Sequence, residues 1–150
     1  MKNSILIYFA LWLLISCNST SSADFKGYVQ DRAITRISDG LYIIINFNSC
    51  SSCREDLIQL LRKNNNVVLS NVTIILMGDK PTLRYYAEKD FSNYKIIKDT
   101  ENDISEIFPL TLESSYLVKI IDGEIVYNNR INERIYTDEI LMDYFSDNNK

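Results

Sequence analysis

The chain has 150 residues, a formal net charge of −4 and no histidine. This length suits a single domain with a full hydrophobic core. The acidic balance and the lack of a lysine or arginine cluster argue against a nucleic-acid-binding protein. Without histidine the chain lacks the commonest general base and a frequent zinc ligand, which disfavours Ser-His and Cys-His hydrolases and most zinc enzymes.

The N-terminus has the features of an export signal. Lys2 precedes an apolar run over residues 5–15, which is too short to span a bilayer as a stable helix. The run ends in Leu-Ile-Ser and then Cys17, a pattern that resembles the lipobox of bacterial lipoproteins. The resemblance implies a signal peptide over residues 1–16 and lipidation of the Cys17 sulfur, which would hold the protein at a membrane. An ordinary signal peptide with a chance cysteine, or an unprocessed anchor, is the alternative.

The first part of the exported chain leads to a strand and a helix. Residues 17–24 are predicted to be the lipidated cysteine and a flexible polar tether, followed by a domain over residues 25–150. Residues 25–29 predict a short strand, and residues 33–37 a second strand or a turn. Residues 41–47 form an apolar run rich in β-branched residues, typical of a strand buried on both faces. Leucine and isoleucine at helical spacing then predict a helix over residues 51–63, with Glu55 and Asp56 assigned to its first turn.

Alternating strands and helices follow. The pattern predicts a strand over residues 72–77, a helix from Pro81 to about Lys89, a short strand over residues 94–97 and one helical turn near Ile104. Residues 116–121 and 124–127 predict a hairpin around Asp122-Gly123, and Thr137 begins a last helix that includes Phe145. This order predicts an α/β fold with a mainly parallel sheet, helices on both faces and antiparallel strands at the end.

Two cysteines stand at the junction of the strand over residues 41–47 and the helix that follows it, in the order Cys50-Ser51-Ser52-Cys53. A Cys-x-x-Cys pair that opens the helix of a βαβ unit is typical of thioredoxin-like redox proteins. Here, and in the predicted hairpin, the chain resembles the thioredoxin superfamily, more closely its lipid-anchored envelope members of the TlpA and ResA kind. The resemblance implies a thioredoxin-like α/β fold in which helices flank a central mixed sheet.

Thiol chemistry gives the two cysteines different roles. A helix N-terminus stabilises a thiolate, so Cys50 is predicted to be the exposed nucleophile and Cys53 the buried resolving thiol. Glu55 and Asp56 oppose a negative sulfur, and Arg54 offsets part of that effect, so a modest lowering of the Cys50 pKa is expected. No bound organic cofactor is expected, because the electrons reside in the two sulfurs.

The chain departs from the superfamily pattern at three places. Ser49 stands where the family usually has tryptophan, and Asn46 is the only polar residue of the strand that usually carries a buried acid. The family's cis-proline position falls at Ser114 or Ser115, which with Ser51 and Ser52 are the predicted supporting residues. Pro109 lies about five residues too early, which puts substrate positioning in doubt and leaves the cysteines open to metal.

Two functions remain open. The first is a membrane-tethered thiol–disulfide oxidoreductase of the bacterial cell envelope, monomeric and facing the periplasm or exterior, whose partners are envelope proteins with thiols or disulfides. The second is a non-catalytic lipoprotein on the same scaffold that binds a partner protein or a soft metal. For a Cu(I) site Met77 is the candidate third ligand beside Cys50 and Cys53, although a core residue is the preferred interpretation of Met77. A structural disulfide gains little from so short a loop.

Overall fold

The computed structural model describes residues 22–33, 38–48, 51–64, 71–108, 115–131 and Phe145; for Ser22 and residues 51–53 it describes the backbone alone. In chain order its elements are helix α1 (Ser22–Arg32), strand β1 (Gly40–Asn46), helix α2 (Ser51–Lys63), strand β2 (Val72–Met77), helix α3 (Lys80–Lys89), strand β3 (Lys95–Asp99), helix α4 (Ile104–Ile107), strand β4 (Ser115–Ile121) and strand β5 (Glu124–Ile131).

The five strands form one mixed sheet in the order β3-β2-β1-β4-β5. Strands β1, β2 and β3 are parallel, while β4 runs antiparallel to β1 and β5 antiparallel to β4. The carboxyl ends of the three parallel strands therefore lie together at one edge, called here the carboxyl edge. Asn46 pairs there with Met77, and Met77 with Asp99. The opposite edge, where the same strands begin, is called the amino edge.

Each face of the sheet carries its own hydrophobic cluster, because alternate residues of a strand point to opposite faces. On one face Ile43, Ile45 and Leu76 pack against Leu61 of α2 and Leu83 of α3. The members of the other cluster come from the sheet, from α1 and from the region of α4: Phe25, Tyr28, Val29, Tyr42, Ile44, Ile75, Met77, Ile97, Ile104, Phe108, Tyr116, Val118 and Ile120. The predicted α/β fold, with helices flanking a central mixed sheet, is confirmed.

The hairpin between β4 and β5 turns as its sequence indicates. Asp122 and Gly123 both have positive φ, at 52° and 73°, which is the geometry of a tight two-residue hairpin turn. The Asp39 carboxylate accepts hydrogen bonds from the backbone N–H groups of both residues, at 2.8 and 2.9 Å. Because Asp39 immediately precedes β1, these bonds fasten the turn to the amino edge of the sheet.

Most predicted helices and strands that the structure describes agree with it to within a few residues, but the first predicted strand is wrong. Residues 25–29 were expected to be a strand and instead belong to α1, which also includes the last three residues of the predicted tether. The buried residues of this segment are Phe25, Tyr28 and Val29, a spacing that places them on one helix face. Aromatic and β-branched residues around Gly27 favour a strand locally, and packing against the sheet overrides that preference.

Two other predictions fall partly or wholly on residues that the structure does not describe. Residues 34–37 lie outside the described part of the chain, and so does the last predicted helix except for Phe145, which is helical and buried. Among the described helices, none combines the length and the apolar character needed to cross a membrane.

Tyr94, the residue directly before β3, is hydrogen-bonded to α2, and its burial is expected to make the stability of the fold depend on pH. Its side chain is 7% exposed, and its hydroxyl donates a hydrogen bond to the Leu61 carbonyl at 2.9 Å. Burial raises the pKa of Tyr94 to about 12. From about pH 10 the unfolded chain loses this proton while the folded chain keeps it, so stability falls as the pH rises from about 10 to 12, by up to about 2–3 kcal/mol.

The substitution Tyr94→Phe removes this titration. The variant is expected to lose about 1 kcal/mol of stability at pH 8, because it lacks the buried hydrogen bond from the Tyr94 hydroxyl to the Leu61 carbonyl, to which the Asn64 backbone N–H still donates at 3.2 Å. Its stability is also expected to depend less on pH than that of the wild type between pH 10 and 12. Urea unfolding at a series of pH values, followed by circular dichroism, measures both effects. Parallel pH profiles for the two proteins would contradict the prediction.

Candidate functional site

Helix α2 begins at the carboxyl edge of the sheet, immediately after Cys50 in the sequence. Its first residue is Ser51, and Cys53 is its third, while Cys50 lies outside the described residues. The helix has 13 residues and is held on the sheet by an apolar face that includes Leu57, Ile58 and Leu61, all fully buried. Backbone N–H groups that have no acceptor within the helix, and the positive end of the helix dipole, therefore lie where the Cys-x-x-Cys segment joins the helix.

The chain between β1 and α2 is held by polar contacts on both sides. The Asn46 carboxamide is fully buried, and its Oδ1 accepts a hydrogen bond from the Asn48 backbone N–H at 2.8 Å. This contact closes an Asx-type turn directly after the strand. On the helix side, Arg54 Nη1 donates to the Phe47 carbonyl at 2.7 Å, and the guanidinium lies 5.3 Å from the centroid of the Phe47 ring. Arg54 therefore joins the end of β1 to the first turn of α2, across the segment that contains the cysteines.

The sequence predicts Arg54 only as a positive charge beside the cysteines, and it does not predict this hydrogen bond to the Phe47 carbonyl. The bond depends on how far α2 leans over the end of β1, which no local pattern specifies. The feature of the sequence that could have indicated this contact is the position of Arg54 directly after the Cys-x-x-Cys pair. The five donors of arginine make it suited to bind a strand-end carbonyl.

The prediction that Glu55 and Asp56 lie in the first turn of α2 is wrong. The helix begins at Ser51, so these carboxylates are its fifth and sixth residues. The Glu55 carboxylate accepts hydrogen bonds from Gln59 Nε2 at 2.8 Å and from Arg62 Nη1 at 3.3 Å, both farther along the helix. Because both carboxylates lie beyond the first turn, they destabilise a thiolate at the start of the helix less than the sequence predicts.

Strand β4 brings Ser115 to the same edge. Ile44 of β1 pairs with Tyr116, so Ser115 lies one residue farther toward the end of β1 and the start of α2. Ser115 is 6% exposed and pairs with Ile131 of β5. Ser114 and Pro109 lie outside the described residues, and of the supporting positions Ser51 and Ser52 the structure describes the backbone alone. The fold thus gathers Ser51, Ser52, Cys53 and Ser115 at the carboxyl edge.

Met77 lies at this edge but faces the other side of the sheet. It ends β2, is 2% exposed, and packs in the cluster that contains α1 residues, whereas Leu76 belongs to the cluster on the α2 face. This placement favours the core interpretation of Met77 over the metal-ligand interpretation. Among the described residues, no group of three or more histidine, cysteine, aspartate or glutamate side chains could hold a metal ion.

A second polar group lies at the carboxyl edge, on the α1 side, and was not foreseen. Asp99 is fully buried at the end of β3, where its carboxylate accepts hydrogen bonds from the backbone N–H groups of Asp103 and Ile104, at 3.2 and 2.9 Å. Burial and the nearby Asp99 carboxylate raise the pKa of Tyr28 in α1. The guanidinium of Arg32 lies 4.6 Å from the centroid of the Tyr28 ring and forms an ion pair with Asp103. These contacts fasten the C-terminal part of α1 to the end of β3.

The described helices and strands have the arrangement of a thioredoxin-like α/β fold. A parallel β-α-β unit carries the segment at the start of its helix, and an antiparallel hairpin completes the sheet beside β1. The polar contacts of Asn46 and Arg54 hold the chain on both sides of the segment. This arrangement can present one cysteine at a helix N-terminus with a second cysteine one turn farther on.

Comparison with solved structures gives the same fold. The chain is similar to a thioredoxin-like protein in its oxidised form, with a TM-score of 0.52, 9% identity, and coverage of 74% of this chain and 81% of that one. It is similar to a protein from Neisseria meningitidis assigned as a thioredoxin, with a TM-score of 0.50, 15% identity, and coverage of 74% and 75%. A peroxiredoxin-like protein from Aquifex aeolicus gives a TM-score of 0.46, 14% identity, and coverage of 74% of each chain. No protein-family model and no curated protein matches. The first two similarities show that the fold is thioredoxin-like.

Proposed function

We propose that this chain is a membrane-tethered thiol–disulfide oxidoreductase of the bacterial cell envelope. The observation that carries the proposal is the start of α2 at Ser51, directly after Cys50, with Cys53 in the first turn of the same helix. A cysteine at a helix N-terminus has a stabilised thiolate, and a second cysteine one turn away can resolve a mixed disulfide. The thioredoxin-like fold supports a redox function of this kind.

The proposed reaction transfers two electrons from the protein to a substrate disulfide. The Cys50 thiolate attacks one substrate sulfur, so that a mixed disulfide forms and the other substrate sulfur leaves as a thiolate and takes up a proton. The Cys53 thiolate then attacks the Cys50 sulfur and releases the second substrate thiol. The substrate is reduced by two electrons, and the protein is left with a Cys50–Cys53 disulfide. A dithiol protein restores the reduced form by the reverse sequence, and either direction can be the physiological one.

The proposal includes the location and the partners of the protein. Cys17 would carry the lipid after cleavage of residues 1–16, which places the domain at a membrane surface facing the periplasm or exterior. The partners are then envelope proteins with exchangeable thiols or disulfides. The domain acts as a monomer, with no bound organic cofactor.

An equilibrium redox titration of the full-length protein tests the proposal. The protein is equilibrated in glutathione buffers for the higher potentials and in dithiothreitol buffers for the lower ones, and thiols are alkylated and assigned to Cys50 and Cys53 by peptide mass. We expect one reversible two-electron transition with a midpoint between about −120 and −270 mV. A pair that stays oxidised below about −300 mV would indicate a structural disulfide and overturn the proposal. The non-catalytic lipoprotein would then be the better description.

A further inference from the structure

The attachment point of the domain to its proposed lipid anchor is fixed by α1. The helix begins at Ser22, and Phe25, Tyr28 and Val29 are buried against the sheet, with Phe25 fully enclosed. Only four residues, 18–21, separate Cys17 from the helix. Five residue steps span at most about 17 Å. The folded domain therefore starts close to the residue that would carry the lipid.

Contacts along α1 define its direction across the sheet. Near its beginning, the Phe25 ring packs edge-on against Tyr42, the third residue of β1, and against Phe108, which follows α4, each with 5.4 Å between the ring centroids. Lys26 Nζ forms an ion pair with Glu124 at 3.0 Å, beside the β4–β5 turn. Tyr42 and Glu124 lie toward the amino edge, and the ion pair of Lys26 places this end of α1 beside the β4–β5 turn.

The other end of α1 contacts the carboxyl edge. Arg32 forms an ion pair with Asp103, just beyond the end of β3, and Tyr28 interacts electrostatically with Asp99, the last residue of that strand. The N-terminal end of α1 therefore lies toward the amino edge of the sheet, and its C-terminal end lies at the carboxyl edge. The chain leads away from the domain, toward Cys17, on the amino-edge side.

We infer that the anchored protein turns its amino edge to the membrane and presents the Cys-x-x-Cys edge away from it. Strand β1 has seven residues, so the two edges are separated by about 23 Å. A domain of this size is about 35 Å across, and a tether of at most about 17 Å is too short to let it invert. The inference rests on the proposed anchor at Cys17. It specifies the substrate class as protein disulfides or dithiols that stand free in the aqueous compartment, rather than those at the bilayer surface.

Two pairs of native lysines can report this orientation without any substitution. Helix α3 starts at the carboxyl edge with Lys80 and ends toward the amino edge with Lys89. Strand β3 begins with Lys95 and has Lys98 one residue before its end. All four residues are exposed. Each pair thus contains one lysine near either edge, on the same element.

The experiment uses the full-length, cell-processed protein in phosphatidylcholine vesicles that contain a phospholipid with an amine-reactive ester on its headgroup. Modified lysines are quantified by peptide mass and divided by their modification with a water-soluble amine reagent of the same chemistry, which corrects for accessibility and reactivity. We expect Lys89 to exceed Lys80 and Lys95 to exceed Lys98, each several-fold. Equal or reversed ratios on vesicle-bound protein would overturn the orientation and leave the anchor intact.

A matched variant separates the anchor from the orientation. The Cys17→Ser variant is produced from residue 17 onward, so that it lacks the apolar run over residues 5–15 as the processed protein does. It also lacks the sulfur that would carry the lipid, and it is expected to stay in the aqueous fraction with negligible modification by the lipid-linked reagent. Wild-type protein that likewise fails to enter the vesicle fraction would overturn the anchor, and with it both the membrane tethering of the proposed function and the orientation.

Discussion

Replacement of Phe25 by alanine is expected to lower the free energy of unfolding by about 3–5 kcal/mol. The Phe25 side chain is fully buried, and its ring makes edge contacts with Tyr42 and Phe108, each with 5.4 Å between the ring centroids. Alanine would remove these contacts and leave a cavity between α1, the sheet and the residue that follows α4. Since the packing of α1 depends strongly on this ring, the N-terminal helix is expected to loosen first. Urea unfolding of the full-length protein, followed by circular dichroism, measures the loss.

Two neighbouring substitutions on α1 serve as matched controls. Lys26→Ala removes an ion pair with Glu124 whose side chains are 30% and 67% exposed, so a change of at most about 1 kcal/mol is expected. Gly27→Ala places a methyl group inside a helix, where no atom lies within 4 Å apart from its chain neighbours and the backbone of the helix itself, and is expected to stabilise the protein by about 0.5–1 kcal/mol. A loss below about 1 kcal/mol for Phe25→Ala, or a clear loss for Gly27→Ala, would contradict the helical packing of this segment.

The central strands were predictable because their sequences specify their environment. Strand β2 has the predicted bounds, and β1 differs by one residue at each end. Both are mainly runs of β-branched and aliphatic residues, and every residue of 41–46 and 72–77 is buried, as in a parallel strand covered on both faces. Phe47, the last residue of the predicted first strand, is only partly buried. Helix α2 was equally clear, because its leucines and isoleucine recur at helical spacing and Asn64 follows its end.

Helix α1 shows where local patterns are insufficient. Its three buried residues lie among polar residues and a glycine, so the periodic signal is short, and its aromatic and β-branched members favour a strand. What makes the segment helical is the fit of Phe25, Tyr28 and Val29 onto one face of the sheet. That face is built by residues that come later in the sequence, which no window around residue 25 contains.

The location of the candidate site was predictable, and its supporting contacts were not. Parallel strands bring their carboxyl ends to one edge, so the sequence placed Cys53 and Met77 at the same edge. The alternation along β2 then decides that Met77 faces α1 and not α2, which depends on which face each helix covers. The hydrogen bond from Arg54 to the Phe47 carbonyl and the burial of Asp99 beneath α1 depend on tertiary packing in the same way.

The Cys53→Ser variant is expected to accumulate mixed disulfides with envelope proteins through Cys50, with little or none on the double variant Cys50→Ser, Cys53→Ser. Without the Cys53 thiolate, the first exchange step proceeds but the second cannot, so the intermediate persists. The adducts are detected as dithiothreitol-sensitive bands of higher mass from cells treated with acid and an alkylating reagent. Mass spectrometry of the linked peptides assigns the sulfur involved.

The single variant Cys50→Ser sharpens this result, because it leaves one thiol at the other position. If Cys50 is the nucleophile at the helix N-terminus, the remaining Cys53 thiol in the first turn of α2 should form far fewer adducts. Equal trapping by the two single variants would mean that either cysteine can attack, and would contradict the assigned roles. If neither variant forms adducts while circular dichroism shows that both are folded, the cysteine pair does not exchange with envelope proteins. Either result is informative, since serine differs from cysteine by one atom and the start of α2 tolerates it at positions 51 and 52.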